Sequence, residues 1–133
     1  MKQDRISVLE TYIKADMSPL LLEDVSDDVF VNDIIINADC DISFLNGHYE
    51  ETSFVAPDWY QDLLDRVKKE RPIIVIKNIN MIPMAEQNKF IEILKYRKIS
   101  TFELPEQCLI IVTANNLNNH PISEDVYSLL IHI

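Results

Sequence analysis

Apolar positions in the chain switch between two periods, and the switches outline its elements. From Asp4 to about Ala15, Ile6, Leu9 and Ile13, with Tyr12 beside them, recur at helical spacing and predict an amphipathic helix that Ser18-Pro19 ends. Leu20-Leu21-Leu22 is an apolar run of strand length. Glu23-Asp24-Val25-Ser26-Asp27-Asp28 interrupts it with four carboxylates, and Val29 to Ala38 is rich enough in β-branched residues to predict a second strand. Asp39 to Ala56 reads as a loop carrying the turn signal Asn46-Gly47. Pro57 suits the first turn of a helix running to about Glu70, with Trp59, Leu63 and Val67 along one stripe.

Pro72 opens Ile73-Ile74-Val75-Ile76, an uninterrupted apolar run of the kind found where a strand is covered on both faces. A helix is predicted from Pro83 to about Lys98, with Ala85, Phe90, Ile91 and Leu94 inward. Leu109-Ile110-Ile111-Val112 is a second wholly apolar run. Ser123 is a good N-cap for a short helix from Glu124 to about Ser128, and Leu129 to Ile133 reads as a final strand. Strands alternating with helices predict an α/β fold in three layers: a mostly parallel sheet of about four to five strands with helices on both faces. No repeat or low-complexity tract divides the 133 residues, so residues 1–133 read as a single domain.

Hydrophobic residues at 47% and charged residues at 26% fit an ordinary globular core. No apolar run approaches the roughly 20 residues that span a bilayer, and the N-terminus has no signal-peptide core. Cys40 and Cys108 lie far apart, each beside a predicted strand. They read as buried free thiols, which favours a cytoplasmic location; Asp39, Cys40, Asp41 and His48 lack the further ligands a metal site needs. His120 and His132 are isolated and read as structural.

Charge and glycine content narrow the function classes. The net charge of −10 is unevenly placed: residues 15–65 hold thirteen acidic and no basic residues, whereas residues 66–98 hold nine basic and three acidic. Most of such a surface repels nucleic acid. The basic stretch reads either as a solvated helix face or as a surface for an acidic partner, including another copy of this chain. The single glycine, Gly47, cannot supply GxxxxGK[ST] or GxGxxG, and both motifs are absent.

From about Phe54 onward the chain nevertheless resembles the core of the AAA+ ATPases, within them the MoxR-like and dynein-related group. The parallels are Ala56-Pro57-Asp58-Trp59-Tyr60, the Walker B-like strand Ile73-Ile74-Val75-Ile76, the segment Ala85 to Leu94, Arg97-Lys98-Ile99, Glu103-Leu104-Pro105, and Ile110-Ile111-Val112-Thr113-Ala114-Asn115-Asn116 at the sensor-1 strand. Upstream, Ser18-Pro19-Leu20-Leu21-Leu22-Glu23 is similar to the first strand, and Asn37 to Ile42 with Asn46-Gly47 to the second strand and its loop. The resemblance implies a P-loop NTPase-like fold, here a truncated domain with no C-terminal lid.

It also implies what is missing. Where the phosphate-binding loop belongs, the chain has Glu23, Asp24, Ser26, Asp27 and Asp28. Where the Walker B strand should end in Asp-Glu, it has Lys77 and Asn78, which neither hold Mg²⁺ nor act as a base. Asn115 matches sensor 1, unless it and Asn116 are simply turn residues. His132 stands nearest the expected arginine finger. Lys77 is expected either to pair with a carboxylate such as Asp24 or Asp41 or to extend into solvent.

The implied function is a catalytically inactive, regulatory or protein-interaction module. It would use no cofactor, contact neither nucleic acid nor membrane, and form an oligomer or complex with an active AAA+ ATPase or with itself. Trp59, Tyr60, Lys95, Arg97 and Lys98 are the interface candidates, although Trp59 with Tyr60 also suits a role anchoring its helix to the sheet. Two other readings remain open: an ATP-binding protein with an atypical site, and a structural assembly protein of a phage or mobile element.

Overall fold

The computed structural model describes Ser7, Val8, Glu10 and residues 19–133. Most of the predicted N-terminal helix, with Ile6, Leu9, Tyr12 and Ile13, lies outside the described residues; Ser7, Val8 and Glu10 are helical. The chain forms an α/β fold on five parallel strands: β1 (Leu20–Glu23), β2 (Ile34–Asn37), β5 (Ile73–Lys77), β8 (Leu109–Ala114) and β9 (Ile131–His132). Their order across the sheet is β2-β5-β8-β1-β9. Every pairing is parallel, with Ile74 opposite Ile34 on one side and Ile110 on the other. The C-terminal residues read as a final strand do pair with β1, Leu20 opposite Ile131.

Successive side chains of a strand point to opposite faces, so each apolar run feeds two cores. Leu21, Ile36, Ile74, Ile76, Ile110 and Val112 face one, against helices α2 (Asp58–Val67) and α4 (Glu124–Tyr127) and a helical run over residues 84–96. Leu20, Leu22, Ile73, Val75, Leu109 and Ile111 face the other, covered by Val8 and Phe30 with Val25 and Val29 at the margin. The run 84–96 begins as α3 (Met84–Gln87) and tightens to a 3₁₀ turn at Asn88–Phe90. It then widens to a π-helical turn at Glu92–Tyr96, where Arg97 closes it in the left-handed region at φ 53°.

Three details differ from expectation. The second strand begins at Ile34, not Val29, because residues 24–33 must carry the chain from β1 across β8 and β5 to the edge, about 14 Å at three strand spacings. Val29 and Phe30 therefore fold over the sheet face as a helix-free crossover, and Val31 is exposed. The stretch 39–56 is not a plain loop: it holds α1 (Ile42–Asn46) and a hairpin of β3 (His48–Glu50) and β4 (Ser53–Val55). A second hairpin, β6 (Lys98–Ile99) with β7 (Phe102–Glu103), follows the π-helical turn. No helix among the described residues is long and apolar enough to cross a membrane.

Candidate functional site

In open parallel sheets, ligands gather beyond the carboxyl ends of strands where the chain order reverses. Here β1 connects outward to β2 on one side, and β8 connects to β9 on the other, so the reversal lies between β1 and β8. The ends of β1, β5 and β8 meet there, and each is followed by a left-handed residue: Asp24 (φ 51°), Asn78 (φ 63°) and Asn116 (φ 57°). Asn and Asp tolerate this region better than other residues with a Cβ.

Short polar bonds tie these three turns together. Asp24 donates its backbone N–H to the carbonyl of Ala114 (2.9 Å) and accepts from the N–H of Asn116 at Oδ1 (3.2 Å). The Asn78 N–H donates to Thr113 Oγ1 (3.1 Å), and Asn115 Nδ2 donates to Asn78 Oδ1 in a close contact. Beneath them, buried Asn80 donates to the carbonyls of Asn115 (2.6 Å) and His120 (2.7 Å) and accepts from the Asn115 N–H (3.1 Å). Buried Gln87 likewise donates to the carbonyls of Ile82 and Pro121 and accepts from the Ser123 N–H at 2.7 Å.

Above this network a cavity of about 240 Å³ lies between the crossover and the sheet. Val25, Phe30, Ile35 and Val75 form its apolar side; Asp27, Lys77, Asn78, Thr113 and Asn115 form its polar side. Lys77 Nζ bonds Asp27 Oδ1 at 2.8 Å, so the lysine's partner is Asp27 and not Asp24 or Asp41. The reason is the left-handed turn at Asp24, which directs that carboxylate back to Asn116.

The acidic stretch is thus dispersed instead of forming one wall. Glu23 bonds His132 Nε2 at 2.8 Å, whose Nδ1 meets the Tyr127 hydroxyl at 2.9 Å. Ser26 donates to Asp28 (2.5 Å), and of the four carboxylates only Asp27 lines the cavity. The site thus joins Ser26, Asp27, Lys77, Asn78 and Asn115 and leaves Glu23 at the β9 edge. Thr113 and Asn80 belong to it too; Asn78-Ile79-Asn80 directly after an apolar strand is the signal that points to the latter.

The interface candidates separate. Trp59 is a core residue, not a surface anchor: its ring is buried, and Nε1 donates toward the carbonyls of Phe44 (3.1 Å) and Leu45 (3.2 Å). Half-buried Tyr60 donates to the Glu103 carbonyl (2.5 Å) and lies against Phe102. Arg97 turns inward to the carbonyls of Pro105 (3.1 Å) and Cys108 (2.7 Å). Lys95 is exposed and Lys98 half-buried.

Both cysteines are free. Cys108 is buried, which pushes its thiol up to about 12 against the opposing charge of Arg97. Cys40 is only half-buried; burial raises its thiol too, with Lys89 pulling the other way. Among the described residues no three metal-ligating side chains converge. Chemically, the site holds a charge-compensated pair and amides already bonded to one another. No protein-family profile matches the chain, and no curated protein matches it.

Proposed function

We propose that this chain is a P-loop NTPase-like module, related to the AAA+ core, that has lost nucleotide chemistry and acts through protein contacts. The strand order supports the reading: the sensor-like strand β8 lies between the first strand and the Walker B-like β5, so the three positions the resemblance assigns to one nucleotide share one cleft. The observation that carries the loss of chemistry is the Lys77–Asp27 pair, which sits where that resemblance puts the metal and phosphates. A phosphate there would meet a carboxylate, and the lysine that would attract it is already compensated. The preceding turn offers no glycine cradle, and no helix follows β1 to direct its N–H groups inward. With Lys77 30% and Asp27 82% exposed, the pair adds at most about 1 kcal/mol to stability, so its weight is electrostatic.

Titration of a fluorescent ATP analogue with Mg²⁺ tests the reading. The expected result is no saturable binding. Micromolar binding abolished by Asn115→Ala would overturn it in favour of an atypical nucleotide site.

A further inference from the structure

Two surface features stand at opposite ends of one helical run and complement each other. At the carboxyl end of the sheet, Ile42, Met81 and Met84 are exposed by 57%, 52% and 46%. Met81 lines one and Ile42 the other of two adjoining hollows, of about 270 and 440 Å³, that share Asp39, and Met84 directly precedes Ala85 of the second. Asp39, Asp41 and Glu86 give this apolar patch an acidic rim. Lys89, the cation within it, donates to the Cys40 carbonyl at 2.8 Å, and Lys77 at its inner edge is paired with Asp27.

Residues 84–96 run helically away from Met84 and end on Tyr96, about 18 Å distant at 1.5 Å per residue. Tyr96 is 60% exposed, with Lys95 Nζ 5.4 Å from its ring centre and Lys98 two residues on. The π-helical turn and left-handed Arg97, held by two internal carbonyls, fix the place from which this ring projects. It is an aromatic knob with a basic rim. Opposite charges also complement the macrodipole at each end of the run, acidic at its start and basic at its close.

We propose that a second copy of this chain docks head to tail, Tyr96 of one copy seated against Ile42, Met81 and Met84 of the next. Lys95 and Lys98 then face Asp39, Asp41 and Glu86. This rests on the protein-contact reading above and names its partner. Charge complementarity within one chain selects a like copy: Asp39, Asp41 and Glu86 rim the patch, and Lys95 and Lys98 flank the knob. Methionine side chains adapt to an aromatic ring better than branched ones. Because the two surfaces lie at opposite ends, the contact is heterologous, and assembly continues past two copies.

Sedimentation velocity on the full chain, across about a hundredfold range of concentration and at about 50 and 500 mM salt, tests this. Average mass should rise with concentration, and the association constant should fall about tenfold or more at high salt and in Tyr96→Ala. Lys95→Glu/Lys98→Glu and Asp39→Lys/Glu86→Lys should each be monomeric alone and associate again when mixed, since the acidic knob of one matches the basic patch of the other. Asp39, Glu86 and Lys95 are exposed and Lys98 is half-buried, and circular dichroism checks that each variant folds. A monomer at every concentration overturns the proposal, as does association indifferent to Tyr96 or not restored by mixing. Association with this signature in a chain that also binds ATP leaves the docking standing and the loss-of-chemistry reading fallen; a monomer that binds no nucleotide gives the reverse.

Discussion

The Asn80 side chain pairs with the Asn115 backbone as though it were a peptide group: Nδ2 donates to the Asn115 carbonyl at 2.6 Å while Oδ1 accepts from the Asn115 N–H at 3.1 Å. A third bond, to the His120 carbonyl, links the turns after β5 and β8 to the chain that leads into α4. Asn80 is buried, so its removal strands one N–H and two carbonyl groups away from water. Asn80→Ala should therefore cost about 3 kcal/mol, read as a lower urea midpoint with an unchanged slope. Asn80→Asp keeps the acceptor and loses the donors, and should fail to restore stability. A variant as stable as the parent would show that water replaces these bonds.

Gly47 is where the chain's one glycine is required. Its φ of 86° and ψ of −171° lie in a region that residues with a Cβ rarely enter, between α1 and β3. An added Cβ would stand 2.2 Å from the Val55 carbonyl oxygen and 3.2 Å from Pro57. Gly47→Ala should destabilise by about 3 kcal/mol through strain and clash together. The single tryptophan, Trp59, bonds the carbonyls just before this glycine, so its fluorescence should report the loss directly. Unchanged thermal unfolding followed by that emission would refute the argument.

The central sheet was legible because Ile73–Ile76 and Leu109–Val112 are apolar at every position, and only strands covered on both sides require that. A different signal, β-branched content, misplaced the start of β2. Val29 and Val31 are β-branched, yet they belong to a crossover that covers the sheet without joining it. The hairpins left no trace: β3 is three residues long and wholly exposed, and β6 and β7 are two residues long each, too short to display a period of two. At the candidate site, the AAA+ resemblance singled out Lys77, Asn78 and Asn115, and the structure brings the three to one cavity. For Lys77 the sequence reading named Asp24 or Asp41 and not Asp27, because the partner depends on a backbone dihedral at Asp24. Asn80 escaped because a single buried amide has no periodicity.

Cys108 makes stability pH-dependent on the alkaline side. Burial lifts its thiol from the ordinary 9.0 to about 12, so the folded chain holds the proton where the unfolded chain has released it. The sign follows: this contribution is fully present below pH 9 and is lost as pH rises toward 12, at up to about 1.4 kcal/mol per pH unit. Cys108→Ala should flatten the decline in unfolding free energy above pH 9, while creating a small cavity that lowers stability equally at pH 6 and pH 7. In native protein, a disulfide reagent should modify half-buried Cys40 first and reach Cys108 only as fast as the fold opens. Equal rates at both thiols would contradict the burial on which this rests.

Installing an acidic pair at the end of β5 tests whether the ATP chemistry of the AAA+ resemblance would need only two side chains or a whole cradle. Lys77→Asp/Asn78→Glu supplies the carboxylates that the AAA+ resemblance expects. It also places a second carboxylate beside Asp27, whose lysine partner now stands 2.8 Å away, and breaks the Asn78–Asn115 contact. Like charges at that range repel by about 1 kcal/mol near solvent, so the double variant should be less stable by at least that much. It should release no more phosphate from ATP than the parent chain, because neither substitution provides converging N–H groups for the β- and γ-phosphates. A phosphate-release assay with Mg²⁺ gives the answer. Turnover above the parent level would mean that the crossover from Asp24 to Asp33 can close around a triphosphate, and that the cavity beneath it is a nucleotide site after all.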